Sequence, residues 1–295
     1  MNVLVTGASG FIGQPLVRRL LSAGHRVRAL VRRAEERVAL ARAEIEVGDV
    51  RDLGAVERAT RGMDAVAHLA CATGVARERV ARAVNVDGTR HLLDAARVNG
   101  ARRFVFISSI SAVRERMGPY GRTKREGEAL ISASGLEWMI LRPSLVYGPG
   151  PAGLFARLQR SLRGPVMPII GDGSIAIDPI NVDDVCAVIE QSLARAEVVR
   201  KTYDLLGPER VTFLELLLRL AATVGARPRF VHLPVAVALP LARLLGRLME
   251  RPPLSEDNVL GMISPARVDG SAARRDFAIP WTPLAVGLKS LGEAA

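Results

Sequence analysis

The sequence predicts an α/β protein: a doubly wound parallel sheet with a smaller, mainly helical lobe at its C-terminal side. Three observations carry that prediction. Short apolar runs alternate with longer amphipathic runs from the start of the chain to residue 144. Glycines cluster between the first strand-like run and the first helix-like run. The stretch "YGPGPAG" (147–153) then breaks the rhythm, and the pattern beyond it is mostly helical.

The elements follow in order. "NVLVTG" (2–7) is a strand and "FIGQPLVRRLLSAG" (11–24) a helix ending at glycine. "RVRALV" (26–31) and "IEVGDV" (45–50) are strands, the second followed by a helix near "DLGAVERAT". "DAVAHLA" (64–70) is a strand, and one long helix covers about 77–98. "RFVFISS" (103–109) is a strand, "PYGRTKREGEALISASG" a helix and "LEWMILRPS" (136–144) a strand. Strands that are apolar throughout are buried on both faces, which is the signature of a parallel sheet between two helical layers. In the later part, extended pieces are expected near 166–170, 203–206 and 229–233, and "INVDDVCAVIEQSLA" (180–194) is expected to return to the sheet layer.

The chain has 295 residues, of which 49% are hydrophobic, enough for a large core and too many for global disorder. Its formal net charge is +11, but the arginines are spread along the chain and aromatics are only 4%. No basic run is interleaved with aromatics, so a nucleic-acid partner is not expected, and the charge suits a phosphate-bearing ligand. Cys71 and Cys186 are far apart and fit no metal-ligand spacing, so neither a disulfide framework nor a metal site is expected, and a reducing, cytoplasmic setting is. The first strand begins at Asn2, so no targeting peptide is expected. No run of 18 apolar residues exists. The nearest, "FVHLPVAVALPLARLLGRLM" (230–249), reads as a buried helix with a proline near its start; contact with a membrane surface is the alternative.

The loop "VTGASGFIG" places Gly7, Gly10 and Gly13 between the first strand and first helix. Gly7 permits the tight turn, Gly10 lets a pyrophosphate approach the backbone, and Gly13 lets the helix pack against the sheet with its amides aimed at phosphates. This makes the sheet Rossmann-like and residues 1–149 a nucleotide-binding domain, rejoined by 178–200, with 150–295 as the substrate or interaction lobe. The second strand runs into "LVRRAEE", with Arg32 and Arg33 where an acidic residue would bind the adenosine ribose of NAD. A guanidinium can hold a 2′-phosphate bidentately, so NADP(H) is predicted over NAD(H).

"PYGRTK" (119–124) puts Tyr120 and Lys124 one helical turn apart, and Lys124 is one of three lysines in an arginine-rich chain. A free tyrosine titrates near pH ~10, and a lysine one turn away lowers that value toward the range of an acid/base catalyst. Ser109, at the end of the fifth strand, would then bind the substrate oxygen; Ser108 and Ser111 are its alternatives.

These motifs, with "GDV" (48–50), "HLA" (68–70), "NVDGTRHLLDAA" (85–96), "LRPSLVYGPG" (141–150) and "VDDV" (182–185), resemble the short-chain dehydrogenase/reductase superfamily, in its extended and atypical, epimerase/dehydratase-like members. The resemblance covers most of the chain. It implies a Ser109-Tyr120-Lys124 site with Asn85 supporting it. It also implies a cofactor surface that includes Gly7, Ser9, Gly10, Phe11, Ile12, Gly13, Arg32, Arg33, Asp49, Val50, Leu69, Ala70, Tyr120, Lys124 and Pro143, with Asp49 and Val50 beside the adenine. The implied activity is hydride transfer at a carbonyl or hydroxyl carbon of a small molecule.

Two departures from the extended pattern matter. The stretches between Ser109 and Tyr120 and between Ala70 and Asn85 are short. Ile177 aligns where nucleotide-sugar epimerases carry an arginine that grips the diphosphate, which counts against that substrate class. The pattern is nearest to the atypical branch that contains the NAD(P)H-binding accessory subunit of respiratory complex I, as does the ending "FAIPWTPLAVGLKSL" (277–291). That branch implies a second role, a cofactor-holding partner of a respiratory complex at the inner membrane surface with an idle Tyr-Lys pair. A sensor of cofactor redox state is a third.

Overall fold

In the computed structural model, which describes residues 1–40, 42–74, 77–150 and 154–293, the chain opens as β1 (Asn2–Thr6), α1 (Gly13–Ser22), β2 (Arg26–Val31), β3 (Glu44–Val47), α2 (Leu53–Thr60) and β4 (Ala65–His68). It continues through α3 (Glu78–Arg82), α4 (Gly88–Val98), β5 (Arg103–Ile107), α5 (Pro119–Ser132) and β6 (Glu137–Pro143). Residues 151–153 of the proline- and glycine-rich break lie outside the described residues.

After the break come β7 (Val146–Tyr147), α6 (Leu154–Leu162), β8 (Val166–Ile170), β9 (Ala176–Ile177), β10 (Ile180–Asn181), α7 (Val182–Ala194) and β11 (Lys201–Leu205). The chain ends with β12 (Val211–Thr212), α8 (Phe213–Thr223), β13 (Arg229–Leu233), α9 (Val235–Leu248), α10 (Glu256–Ile263), α11 (Ser271–Asp276) and α12 (Leu284–Glu293).

Seven strands form one parallel sheet in the order β11-β6-β5-β4-β1-β2-β3. Alternate side chains of each strand feed opposite cores, because successive Cβ atoms point to opposite faces. Val3 and Val5 pack with Leu16, Val17 and Leu20 of α1 and Val185 and Ile189 of α7. Leu4, Val66, Phe104 and Phe106 pack with Val56 of α2, Leu92 of α4 and Ile131 of α5. The strand order reverses between β1 and β4, and the crevice at their C-terminal ends is where a doubly wound sheet binds its ligand.

Three local features differ from the sequence reading. The extended stretch expected in the second lobe at 203–206 is instead β11, the edge strand of the main sheet, paired with β6 from Lys201↔Met139 to Leu205↔Pro143. The helix expected over 77–98 contains a π-turn at Ala83–Asp87, a departure that hydrophobic periodicity does not reveal and that often marks a functional position. The stretch 230–249 splits into β13 and α9, and α9 buries only Ala238 and Ala242 rather than its whole circumference. The smaller lobe has its own core, built on Tyr147, Phe155, Leu158, Ile169, Leu216, Leu220, Leu284 and Leu288.

Candidate active site

The phosphate loop lies at the C-terminal end of β1. Gly7 has φ +68°, and a Cβ there would stand 2.7 Å from the Ala70 backbone nitrogen. A Cβ on Gly13 would stand 2.2 Å from the Gly7 carbonyl oxygen, so the close approach of α1 to the loop requires glycine. Gly10 donates its N–H to Gly7 at 2.9 Å, tightening the turn. The N-terminus of α1 has no side-chain cap and no acidic residue in its first turn. Its positive end therefore faces a cradle shaped for a pyrophosphate, and these residues fit a dinucleotide.

Around the cradle, Thr6 Oγ1 accepts the Ala70 N–H at 3.2 Å, holding the Leu69–Ala70 segment beside Gly7. The Phe11 ring lies under Gly148 and Gly150. Val50 is buried against Gly88, where any Cβ would approach its side chain to 2.7 Å. Asp49 is held by a bidentate pair with Arg51, both bonds at 2.9 Å, and this with the charge of Arg32 lowers its carboxyl pKa. Pro143 ends β6 and is buried.

The ribose side of the cleft holds a residue that sequence reasoning missed. Arg32 and Arg33 are both exposed. Glu36 reaches back to accept the Ser9 hydroxyl at 2.6 Å and pairs with Arg33 at 3.3 Å. Burial works to raise the Glu36 carboxyl, but the bonds from Ser9 and Arg33 and the Arg32 charge outweigh it and hold it low. The signal was present as the acidic pair in "RRAEE", but the 3-10 segment Ala34–Leu40 that carries it is too short for a pattern to show which carboxylate turns inward.

The chemical end of the cleft lies above β4 and β5. Burial pushes the Tyr120 phenol well above its usual range; the neighbouring Cys71 and Asp257 add to the shift and the Ser109 hydroxyl opposes it. The expected lowering by Lys124 is not what dominates. The Lys124 ammonium is buried, donates to the Ile107 carbonyl at 2.6 Å and stands 4.6 Å from the centre of the Phe106 ring. Burial draws its own pKa down, against the opposing charges of Cys71 and Glu128.

The three serines have different surroundings. Ser108 is buried and donates to Glu128 at 2.5 Å, and Glu128 in turn takes a bidentate pair from Arg142 at 2.8 and 2.7 Å. Ser109 sits beside Tyr120 and accepts the Ser111 N–H at 3.1 Å.

Asn85 lies in the π-turn and reaches neither Tyr120 nor Lys124. Its amide accepts the Ala72 N–H at 2.7 Å and donates to Thr123 Oγ1 at 2.9 Å, so it fastens the loop after β4 to α5 and acts as a positioning residue. His68 bridges Thr6 (2.7 Å) and Thr89 (3.0 Å), and full burial with the Lys124 charge nearby pulls its pKa down to about 3. It is therefore neutral and structural. Asp257, from α10, accepts the Tyr120 N–H at 3.1 Å; no local motif marks it, because its partner is 137 residues away.

Ile177, at the position of the expected diphosphate-gripping arginine, is buried in the core of the smaller lobe. The nearby Arg210 is held by Asp178 through bonds of 2.9 and 3.1 Å.

The profile of the NAD dependent epimerase/dehydratase family matches residues 3–205. A ceramide reductase of Caulobacter vibrioides is 32% identical over 237 residues, covering 79% of this chain and 73% of that protein. A 2-alkyl-3-oxoalkanoate reductase of Stenotrophomonas maltophilia is 30% identical over 99% of this chain and 98% of its own length. Among solved structures, the dTDP-glucose 4,6-dehydratase DesIV of Streptomyces venezuelae, with NAD bound, superposes with a TM-score of 0.79 at 26% identity, covering all of this chain and 96% of that one. The UDP-glucose 4-epimerase of Thermus thermophilus, in complex with NAD, has a TM-score of 0.80 at 24% identity, covers all of this chain and 98% of that one, and shares the fold.

Proposed function

Since the chain belongs to the NAD dependent epimerase/dehydratase family of NAD(P)-dependent enzymes, we propose that it is an NADP(H)-dependent reductase that converts a ketone on an apolar substrate to the secondary alcohol. The observation that carries this reading is the state of Tyr120. It lies beside the Ser109 hydroxyl at the C-terminal end of β5, one helical turn from the buried Lys124, and its phenol is protonated at neutral pH, an arrangement that suits proton donation to a carbonyl held by Ser109.

The residues divide the work as follows. Ser109 donates a hydrogen bond to the carbonyl oxygen and orients it. Gly7, Gly10 and Gly13 would hold a dinucleotide whose nicotinamide would supply the hydride for the carbonyl carbon. As the carbonyl π pair moves onto oxygen, Tyr120 gives its phenolic proton to that oxygen. The resulting phenolate is stabilised by the buried charge of Lys124 and regains its proton from solvent. Arg32 would hold the 2′-phosphate, since it is exposed and follows β2 while Arg33 is tied to Glu36.

The apolar substrate class rests on two of the reductases among the relatives, whose names specify ceramide and 2-alkyl-3-oxoalkanoates. Ile177 offers no charge to a diphosphate, and the nearby Arg210 is paired with Asp178. The test is NADPH and NADH oxidation against 3-oxo acids of increasing chain length, with nucleotide sugars in parallel. NADPH-dependent turnover that rises with chain length and is lost in Tyr120→Phe, with cofactor binding retained, is the expected result. Turnover of nucleotide sugars alone, or unchanged turnover in the variant, contradicts it. A cofactor-holding role with an idle pair is the second reading, supported by the engagement of Lys124 with the Ile107 carbonyl; it predicts tight NADPH and no turnover of either class.

A further inference from the structure

We propose that α9 is a docking face for an anionic phospholipid surface. The helix is amphipathic in an inverted sense: its small residues face inward and its large ones outward. Ala238 and Ala242 are buried against Val259 of α10, with Ile170 and Leu254 packed alongside. Roughly a third of a turn around the helix from them, Val237, Leu241, Leu244 and Leu248 are 52%, 40%, 53% and 71% exposed, and Met249 just beyond is 44% exposed. Their spacing of four, three and four residues lines them up as one stripe at 3.6 residues per turn. Among the 14 exposed large apolar side chains of the described residues, these five are the only such group within one 13-residue stretch, so they form a contiguous patch where the others are scattered.

The charge around the stripe selects the occupant. Residues 227–251 hold Arg227, Arg229, Arg243, Arg247 and Arg251 against a single acid, Glu250. Arg243 pairs with Glu256 at 3.0 Å, while Arg247 lies about a quarter turn from the stripe and among the described residues has no ion-pair partner. An apolar stripe with the unpaired Arg247 beside it, in a stretch of five arginines to one acid, fits headgroup phosphates and the outer acyl region together. A second copy would bring two like-charged faces into contact. No helix among the described residues is long and apolar enough to cross a membrane, so the contact lies along the surface.

The same helix borders a cavity of about 250 Å³ lined by Ala242, Arg243, Gly246, Arg247, Pro119 and Asp257. Pro119 and Asp257 mark the start of α5, so the docking face is one helix away from Tyr120.

The full chain would be sedimented with vesicles of equal parts phosphatidylglycerol and phosphatidylcholine, and with pure phosphatidylcholine. Binding to the anionic vesicles, weakened by added salt and at least tenfold weaker in the Leu244→Glu/Leu248→Glu double variant, is the expected result. A parallel single variant, Arg247→Glu, is expected to weaken binding without touching the stripe. An unchanged melting temperature and unchanged NADPH affinity show that both variants fold. Three outcomes overturn the proposal: no sedimentation with anionic vesicles, equal sedimentation of the double variant, or a dimer in light scattering that the double variant dissolves.

Discussion

The carboxylate of Asp257 in the small lobe accepts the backbone N–H of Tyr120 at 3.1 Å. It also accepts the N–H of Gly121, so a residue of α10 caps the helix that carries the proposed proton donor. Gly118, the residue at the helix start, offers no side chain of its own, and a Cβ there would stand 2.4 Å from an Asp257 oxygen. The cap thus ties the start of α5 to α10.

Asp257→Ala is expected to cost about 1 kcal/mol of stability, the usual worth of a helix N-cap. It also removes one of the charges that raise the Tyr120 pKa, so the phenol should titrate at lower pH. Denaturant melts check the first effect and a ring-carbon NMR titration the second, because the chain has only three tyrosines. A cap with no influence on the site leaves the titration where it was.

Arg32→Ala is expected to weaken NADPH by about 10- to 100-fold and leave NADH nearly unchanged, since a charge-assisted contact to the 2′-phosphate is worth roughly 1.5–3 kcal/mol. Glu36→Gln should act in the other direction on NADPH, because it takes a negative charge away from the neighbourhood of that phosphate. Fluorescence titration of both cofactors measures each ratio, and equal losses for NADH and NADPH would remove the assignment.

Gly13→Ala is expected to abolish nucleotide binding and lower stability, because its Cβ meets the Gly7 carbonyl at 2.2 Å and α1 must retreat from the loop. Gly24→Ala is a control of the opposite kind: it has a positive φ with nothing within 4 Å, so it costs backbone strain but leaves the cradle intact. Cofactor titration separates the two.

His68 supplies a pH dependence whose sign is fixed. Its folded pKa is drawn down to about 3 from an ordinary 6.5, so the unfolded chain binds the extra proton between those values. The contribution is complete above pH 6.5 and is lost as the pH falls below it, by up to about 1.4 kcal/mol per pH unit. His68→Asn should flatten the acid limb of a stability–pH curve relative to the parent. An identical slope in both proteins contradicts the burial argument.

What the sequence determined by itself was the local chemistry. Gly7 and Gly13 are readable because a positive φ and a close approach admit one residue type, and the strands of the sheet are readable because burial on both faces makes them apolar throughout. The Tyr120–Lys124 spacing is likewise a property of one helix. What only the tertiary structure decided was the partnership of residues distant in the chain. It set Asp257 on Tyr120, turned Lys124 to the Ile107 carbonyl, tied Ser108 to Glu128 while Ser109 stayed beside Tyr120, and brought Glu36 back onto Ser9. It also left the α9 stripe outside the core and moved residues 201–205 to the sheet edge. The physical reason is common to all of these. Periodicity and backbone geometry are written residue by residue, whereas the direction of a side chain and its pKa depend on the neighbours that folding brings to it.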